Sequence, residues 1–277
     1  PGGTHDRRST ACRLRTEAVV TLNAHLGFST MLDIVSMIGV VEEFEHGIRA
    51  FVPALPNHPW WNFLALHSFP DWESPAEFFW TNMPASTAMR HFAIGYMGAD
   101  GPAWKLNPAA PLPMTMSDIV MQTRRLDQVD AARASTLDFA SRDLDDATSI
   151  YCIEHAGLND IGERARTIRR RLTIMQRLQA ANNACWMGVH DDGMLIGLGG
   201  VVRLPSGTAR FQSIATHPDH RRQGIASQVV SALATHARTA WRASSFVILA
   251  NGSAAEAVYR NLGFRRVRIA HGIWATW

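Results

Sequence analysis

Two arginines, a glycine and a small residue stand together in the run Arg221-Arg222-Gln223-Gly224-Ile225-Ala226-Ser227. The apolar run Phe211–Thr216 before it reads as a short strand, and His217-Pro-Asp-His220 as a polar bend. After it, Ile225, Val229, Leu233 and Ala237 recur at four-residue spacing, one apolar stripe of a helix. The run therefore falls on a first helical turn, whose leading N–H groups have no intrahelical acceptor. Those groups, the positive end of the helix dipole and two guanidinium groups suit a phosphate or pyrophosphate. Gly224 lets a ligand approach the backbone, and Ala226 keeps that face uncrowded.

A second set of residues lies downstream. Ser245–Ala250 has the length and β-rich composition of a buried parallel strand. Asn251-Gly-Ser253 is a turn and cap signal, and a helix through Ala254, Ala257, Val258 and Leu262 should end at Gly263. The R-x-x-G-x-A spacing of Arg221, Gly224 and Ala226, between strand and helix, resembles the acyl-CoA loop of the GCN5-related N-acetyltransferases (GNAT), Q/R-x-x-G-x-G/A. The string Val258-Tyr-Arg-Asn-Leu-Gly-Phe264 resembles that family's L/V-Y-x-x-L-G-F signature. The motifs cover residues 183–267, and the family's fold can be extended back to about residue 115.

The resemblance implies an α/β (α+β) fold with a mixed central sheet flanked by helices, and acetyl-CoA as acyl donor, without a metal. Acyl transfer to an amine requires a held donor, a polarised carbonyl, a deprotonated amine and a stabilised leaving thiolate. By the resemblance, Arg221, Arg222, Gln223, Gly224, Ile225, Ala226 and Ser227 form the pyrophosphate loop. Ile214, Ala215 and Thr216 match the strand whose bulged backbone pairs with the pantetheine arm and polarises the thioester. Tyr259 matches the tyrosine that protonates the departing thiolate. Asn251 or Ser253 matches the residue that hydrogen-bonds the pantetheine arm; the spacing to Tyr259 is one residue longer than is common, so both stay open.

The base is not identified. The family's pre-loop strand often carries a glutamate there, whereas this strand has Gln212, which cannot accept a proton. Glu154, His155 and Asp219 are substitutes by type only, and a relay through bulk water would serve as well. His190 and Asp191 read as solvated residues of a hairpin turn.

The elements that must position these groups are legible from about residue 115. Asp118–Arg124 reads as an opening strand, Asp127–Phe139 as a helix capped by Asp127, and residues 160–180 as a second helix. Cys185–Val189 and Met194–Leu198 flank His190-Asp-Asp-Gly193, a hairpin signal. A turn at Leu204-Pro-Ser-Gly207 leads back to the pre-loop strand, and final strands close the chain.

Residues 11–114 form an N-terminal domain in this reading, with a boundary near 110–116 at the proline-rich Asn107–Pro113. Thr16–Phe28 has helical periodicity, and Gly47–Val52 and Trp61–Leu66 read as strands. Trp60, Trp61, Phe63, Phe69, Trp72, Phe78, Phe79 and Trp80 make an aromatic cluster of the kind found in a core or at a domain interface. No second R-x-x-G-x-A pattern occurs there. The region is expected to be a degenerate GNAT-like copy that cannot hold CoA, with an unrelated cap as the other reading. Residues 1–10 read as a disordered leader, and 115–277 as the catalytic domain.

The composition is that of an ordinary globular chain: 277 residues, 47% apolar, 18% charged, net charge +3. No apolar run reaches membrane-spanning length, and no signal-peptide core opens the sequence. Arg164, Arg166, Arg169, Arg170, Arg171 and Arg177 share one segment with the apolar stripe Ile161, Ala165, Ile168, Leu172 and Met175. They read as the solvated side of an amphipathic helix rather than a nucleic-acid surface. Cys12, Cys152 and Cys185 are odd in number and far apart, as expected of reduced cytoplasmic thiols. The expected partners are a small-molecule or protein amine, with neither nucleic acid nor membrane, and a homodimer stays open. Two other functions are weighed: a non-catalytic acyl-CoA-binding or regulatory module, and a nucleic-acid-associated protein resting on the arginine helix.

Overall fold

A computed structural model describes residues 26–68, 74–83, 89–97, 114–127, 129–138, 142–154 and 161–276. The expected leader, Cys12, Phe69, Trp72, the Asn107–Pro113 linker and His155 lie outside the described residues.

The chain builds one mixed sheet. Its N-terminal part runs α1 (Leu26–Ile38), β1 (Val40–Phe44), β2 (Gly47–Phe51), β3 (Phe63–Leu66), α2 (Pro75–Asn82) and β4 (His91–Tyr96). The C-terminal part opens with β5 (Met114–Thr123), β6 (Ala134–Thr136), α3 (Arg142–Glu154) and α4 (Ile161–Ala180). It continues through β7 (Ala184–Asp191), β8 (Met194–Arg203), β9 (Thr208–Thr216), α5 (Ile225–Trp241), β10 (Ser245–Ala250), α6 (Ser253–Asn261) and β11 (Arg265–Thr276). The described strands form one sheet in the order β1-β2-β3-β4-β11-β5-β10-β9-β8-β7-β6. Only β3/β4 and β9/β10 pair in parallel; every other neighbour is antiparallel.

Both parts repeat one order: helix, a three-stranded antiparallel meander, a crossover helix, and a strand parallel to the last of the meander. The parts are joined within the sheet, because β4 pairs with β11 from Tyr96 opposite His271 to His91 opposite Thr276. One continuous core lies on the face of α1, α3 and α4, with Phe28, Leu32, Val120, Tyr151, Leu172 and Trp186 all buried. On the other face α5 and α6 pack through Val229, Leu233, Phe211, Phe246 and Tyr259, and α2 through Phe79.

The hairpin at His190–Gly193 forms, with Asp192 and Gly193 both at positive φ (47° and 76°), as a tight two-residue turn requires. Ser245–Ala250 is β10 to the residue, and the described part of 160–180 is helical. Of the helix expected over Thr16–Phe28, only its last residues fall in the described part, where they open α1. Trp61, Phe63 and Phe79 are buried, as a core cluster should be. Trp60 lies 6.2 Å from Phe28 and against Gly272 of β11, at the join between the two parts.

The helix expected over Asp127–Phe139 does not form. The Asp130 carboxylate accepts the Ala132 N–H at 3.0 Å, and Ala134 N–H bonds the Ala131 carbonyl at 3.0 Å. A side chain that bonds its own backbone two residues on offers an alternative to the helix. The chain then leaves as β6, which pairs with β7. Asp127 does not cap a helix here; its N–H bonds the Leu262 carbonyl at 3.1 Å.

Candidate acyl-CoA site

The site begins where two parallel strands part. β9 pairs with β10 only through Thr208–Arg210 opposite Ser245–Val247. Beyond that point β9 continues to Thr216 and β10 to Ala250 with no pairing between them. Two strands that stop sharing hydrogen bonds leave a slot edged by backbone donors and acceptors.

On its other side β9 carries a bulge. Leu198 faces Ala215 and Gly200 faces Gln212, so Ser213 and Ile214 together oppose Gly199. Ser213 is left-handed, with φ 53°. Its carbonyl accepts a hydrogen bond from the buried Tyr151 hydroxyl of α3 at 2.5 Å. The Arg171 guanidinium of α4 lies 4.8 Å from the Tyr151 ring centroid.

From the end of β9 the chain passes a 3₁₀ turn at Pro218–His220 into the loop 221–224, all of it exposed. Arg222 and Gly224 take positive φ (64° and 76°), and a Cβ on Gly224 would meet nothing within 4 Å. Gly224 is thus favoured by its φ, and the space over its backbone is open to a ligand. The first intrahelical bond of α5 runs from Gln228 N–H to the Gly224 carbonyl at 3.0 Å. The N–H groups of Ile225, Ala226 and Ser227 precede it and lack an intrahelical acceptor.

The predicted residues divide into those that face this space and those that build its floor. Arg221, Arg222, Gln223, Asn251 and Ser253 are exposed at the end of the sheet where β9 and β10 both finish. Arg221 donates to the Thr216 carbonyl at 3.4 Å, which turns its stem back along the loop. Ala226 and Ser227 are half-buried on the first turn, while Ala215 and Ile225 are buried. Ile214 packs partly into the core on the α5 side. Gly252, at φ 89°, turns the chain from Asn251 into α6.

Tyr259 lies on α6, six residues into a helix that starts at the open end, so its Cα is about 9 Å down the axis. It is 6% exposed, with its ring 6.2 Å from Phe264, in the cluster that includes Phe211 at the fork of β9 and β10.

Of the candidate bases only Asp219 has a described side chain; those of Glu154 and His155 lie outside the described residues. Asp219 is exposed on the loop, with its carboxylate 3.8 Å from His217. His190 is not simply solvated, for its ring lies 3.3 Å from Asp143, and Asp191 pairs with Arg133 at 3.0 Å. Gln212 is half-buried, and its Nε2 has no hydrogen-bond partner among the described residues. Arg169 and Asp145 form an ion pair on the outer side of α4, as a solvated face should, but Arg171 packs on Tyr151 instead.

Sequence reading missed a buried charge. Arg210, in the middle of β9, is 2% exposed and donates to the Gly27 carbonyl at 2.7 Å and to the Thr30 hydroxyl. It thereby fastens α1 to the C-terminal part of the sheet. Burial lowers its pKa to about 10, with Asp118 and Asp33 opposing that shift. Burial pushes Asp118 up to about 6 against the pull of Arg210. The only signal was an arginine set between the apolar residues Ala209 and Phe211 of the strand.

Residues 149–264 match the model of the acetyltransferase (GNAT) family. That segment is a GNAT-family domain. A conserved protein of unknown function from Staphylococcus epidermidis ATCC 12228 shares the fold over 85% of this chain and 92% of its own, with 12% identity and a TM-score of 0.56. A GCN5-related N-acetyltransferase from Kribbella flavida aligns over 69% of this chain and 70% of its own, with 16% identity and a TM-score of 0.47. No curated protein matches the chain in sequence. Among the described residues no helix is long and apolar enough to cross a membrane.

Proposed function

We propose that this GNAT protein is an acyl-CoA-dependent N-acetyltransferase that moves acetyl from acetyl-CoA to an amine by direct attack on the thioester. The observation that carries the reading is the slot between β9 and β10, opening beside the Gly224 loop and the unpaired N–H groups of α5. These features fit the donor's two ends. The loop and the guanidinium groups of Arg221 and Arg222 take the pyrophosphate. The free backbone of Ile214–Thr216, with Asn251 or Ser253 across the slot, takes the pantetheine arm.

Acetyl-CoA supplies the activated acetyl group as a thioester. The bulge backbone at Ile214 polarises its carbonyl, and Tyr259, on the helix that closes the slot, donates its proton to the departing thiolate. The unpaired stretch of β9 holds no carboxylate or imidazole. The amine proton therefore leaves through water or through a group on another element.

We assign the region through β4 to a degenerate copy of the same fold, with residues 115–277 as the active unit. The acceptor is a small-molecule or protein amine, and nucleic acid and membrane form no part of the reading. The cytoplasm is its proposed place, resting on three scattered cysteines of which Cys185 is buried.

Calorimetric titration with acetyl-CoA, followed by CoA-thiol release with a panel of aminoglycosides, amino acids, polyamines and peptide N-termini, tests the reading. Saturable binding with release on one acceptor class supports it. Binding without release on any acceptor favours the acyl-CoA-binding module, to which the missing carboxylate on β9 also points. No binding overturns both.

A further inference from the structure

The bulge in β9 is held from outside its own sheet. A left-handed residue other than glycine is strained by its Cβ, and Ser213 is such a residue, at φ 53°. Its carbonyl is turned toward α3, where it takes the Tyr151 hydroxyl at 2.5 Å. Tyr151 is itself fixed, being 2% exposed with Arg171 over its ring. The contact is direct, from a helix side chain to the strand backbone.

The peptide joining Ser213 and Ile214 is planar and trans, since the chain has no cis bonds among the described residues. Its C=O and N–H therefore point in opposite directions. With the carbonyl committed to Tyr151, the Ile214 N–H is directed away from α3. One hydrogen bond thus sets the angle of one backbone donor.

We infer that Tyr151 is a positioning residue for acyl transfer: its hydroxyl, through the Ser213 carbonyl, aims the Ile214 N–H at the thioester carbonyl oxygen. The inference rests on the acyltransferase reading above. It gives the α3–α4 pair a part in donor activation, although neither helix carries a residue of the loop or the closing signature. Tyr151 does not touch the reacting atoms. Its effect is on how strongly the acetyl carbonyl is polarised, and not on how tightly the pyrophosphate is held.

Tyr151→Phe keeps the ring beneath Arg171 and removes only the donor. The decisive readout is isotope-edited infrared spectroscopy of the acetyl carbonyl of bound acetyl-CoA, which needs no acceptor. In the unaltered protein the carbonyl stretch should lie below that of the free thioester. In Tyr151→Phe it should return at least halfway to the free value, while acetyl-CoA affinity stays within about twofold. With any amine that is turned over, kcat should fall about tenfold at nearly constant KM for acetyl-CoA, the scale of one hydrogen bond.

An unchanged stretch in Tyr151→Phe, beside a clear shift in the unaltered protein, would overturn the inference and leave the acyltransferase reading standing. No shift, or no binding, in the unaltered protein removes both. If Tyr151→Phe does not fold, the comparison is made between Ser213→Gly and Ser213→Gly/Tyr151→Phe, because glycine holds the left-handed turn without steric strain. The double variant should then still lose part of the shift, and equal shifts in the two would overturn the inference.

Discussion

The two parts of the sheet use the same order of elements and differ at one place, the parallel strand pair. In the N-terminal part β3 and β4 stay paired to their ends, Leu64 with Ile94 and Leu66 with Tyr96. The Met97 N–H then bonds the Leu66 carbonyl at 2.8 Å, carrying the pairing one residue further. In the C-terminal part β9 and β10 separate after Arg210 and Val247. A closed pair is a structural joint, and an open pair is a slot with unspent hydrogen bonds. The same architecture is therefore closed in one place and open in the other, and the proposed donor site is the open one.

The comparison predicts that changes in the N-terminal part are read in stability and changes in the C-terminal part in chemistry. The largest stability effect should come from acid. His91 of β4 is 1% exposed, its Nε2 faces the Asn62 carbonyl at 3.3 Å, and burial lowers its pKa to about 4. The unfolded chain takes up a proton near pH 6.5 while the folded chain does not, so stability falls as pH drops from about 6.5 to about 4. The contribution of His91 to that slope should approach about 3 kcal/mol. It is read as the difference in denaturation midpoint against pH between the protein and His91→Gln, because Asp118, raised to about 6, acts in the opposite direction over the same range. A His91→Gln variant with the same pH slope would show that the acid sensitivity lies elsewhere.

Tyr259→Phe should lower kcat about a hundredfold, the low end for general acid catalysis, with acetyl-CoA affinity nearly unchanged. Equal turnover in the two proteins would take Tyr259 out of the chemistry and leave it as packing against Phe264. Gly224→Asp should weaken acetyl-CoA binding about thirtyfold in calorimetry, about 2 kcal/mol, by placing a carboxylate beside the pyrophosphate loop. Its melting temperature should also fall by a few degrees, since φ 76° strains any Cβ although no atom lies within 4 Å of it. Full affinity in this variant would relocate the donor's phosphates.

The smallest effect sharpens the contrast from the other side. Asn62 is fully buried and holds the N-terminal turn by accepting from Val52 N–H at 2.9 Å and donating to the carbonyls of Leu55 and His58 at 2.8 and 3.0 Å. Asn62→Ala should destabilise the protein by about 1–2 kcal/mol, because buried backbone groups lose their partners. Acetyl-CoA affinity of the folded fraction should stay within twofold. A large loss of affinity would mean that the N-terminal part reaches the slot.

Much of the C-terminal unit was legible because its signals are local. The four-residue stripe of α5, the Asp192-Gly193 turn and the run Ser245–Ala250 each specify their element through neighbours a few residues away. Where local signals competed the reading failed: Asp127–Phe139 has the composition of a helix, but the Asp130 side chain closes a turn and the β7 edge pairs with Ala134–Thr136. Arg171 looked like one more solvated arginine until the fold brought Tyr151 beneath it.

By itself the sequence determined a loop suited to phosphate, with its glycine between strand and helix, and the family to which the spacing points. Those depend on φ at Gly224 and on the helix start at Ile225, both set within a few residues. The tertiary structure alone decided that β9 and β10 part beside that loop, that Ser213 is held left-handed by Tyr151, and that Arg210 fastens α1 to the sheet. Each of these joins groups 37 to 183 residues apart, and no periodicity or turn chemistry records a contact over such a span.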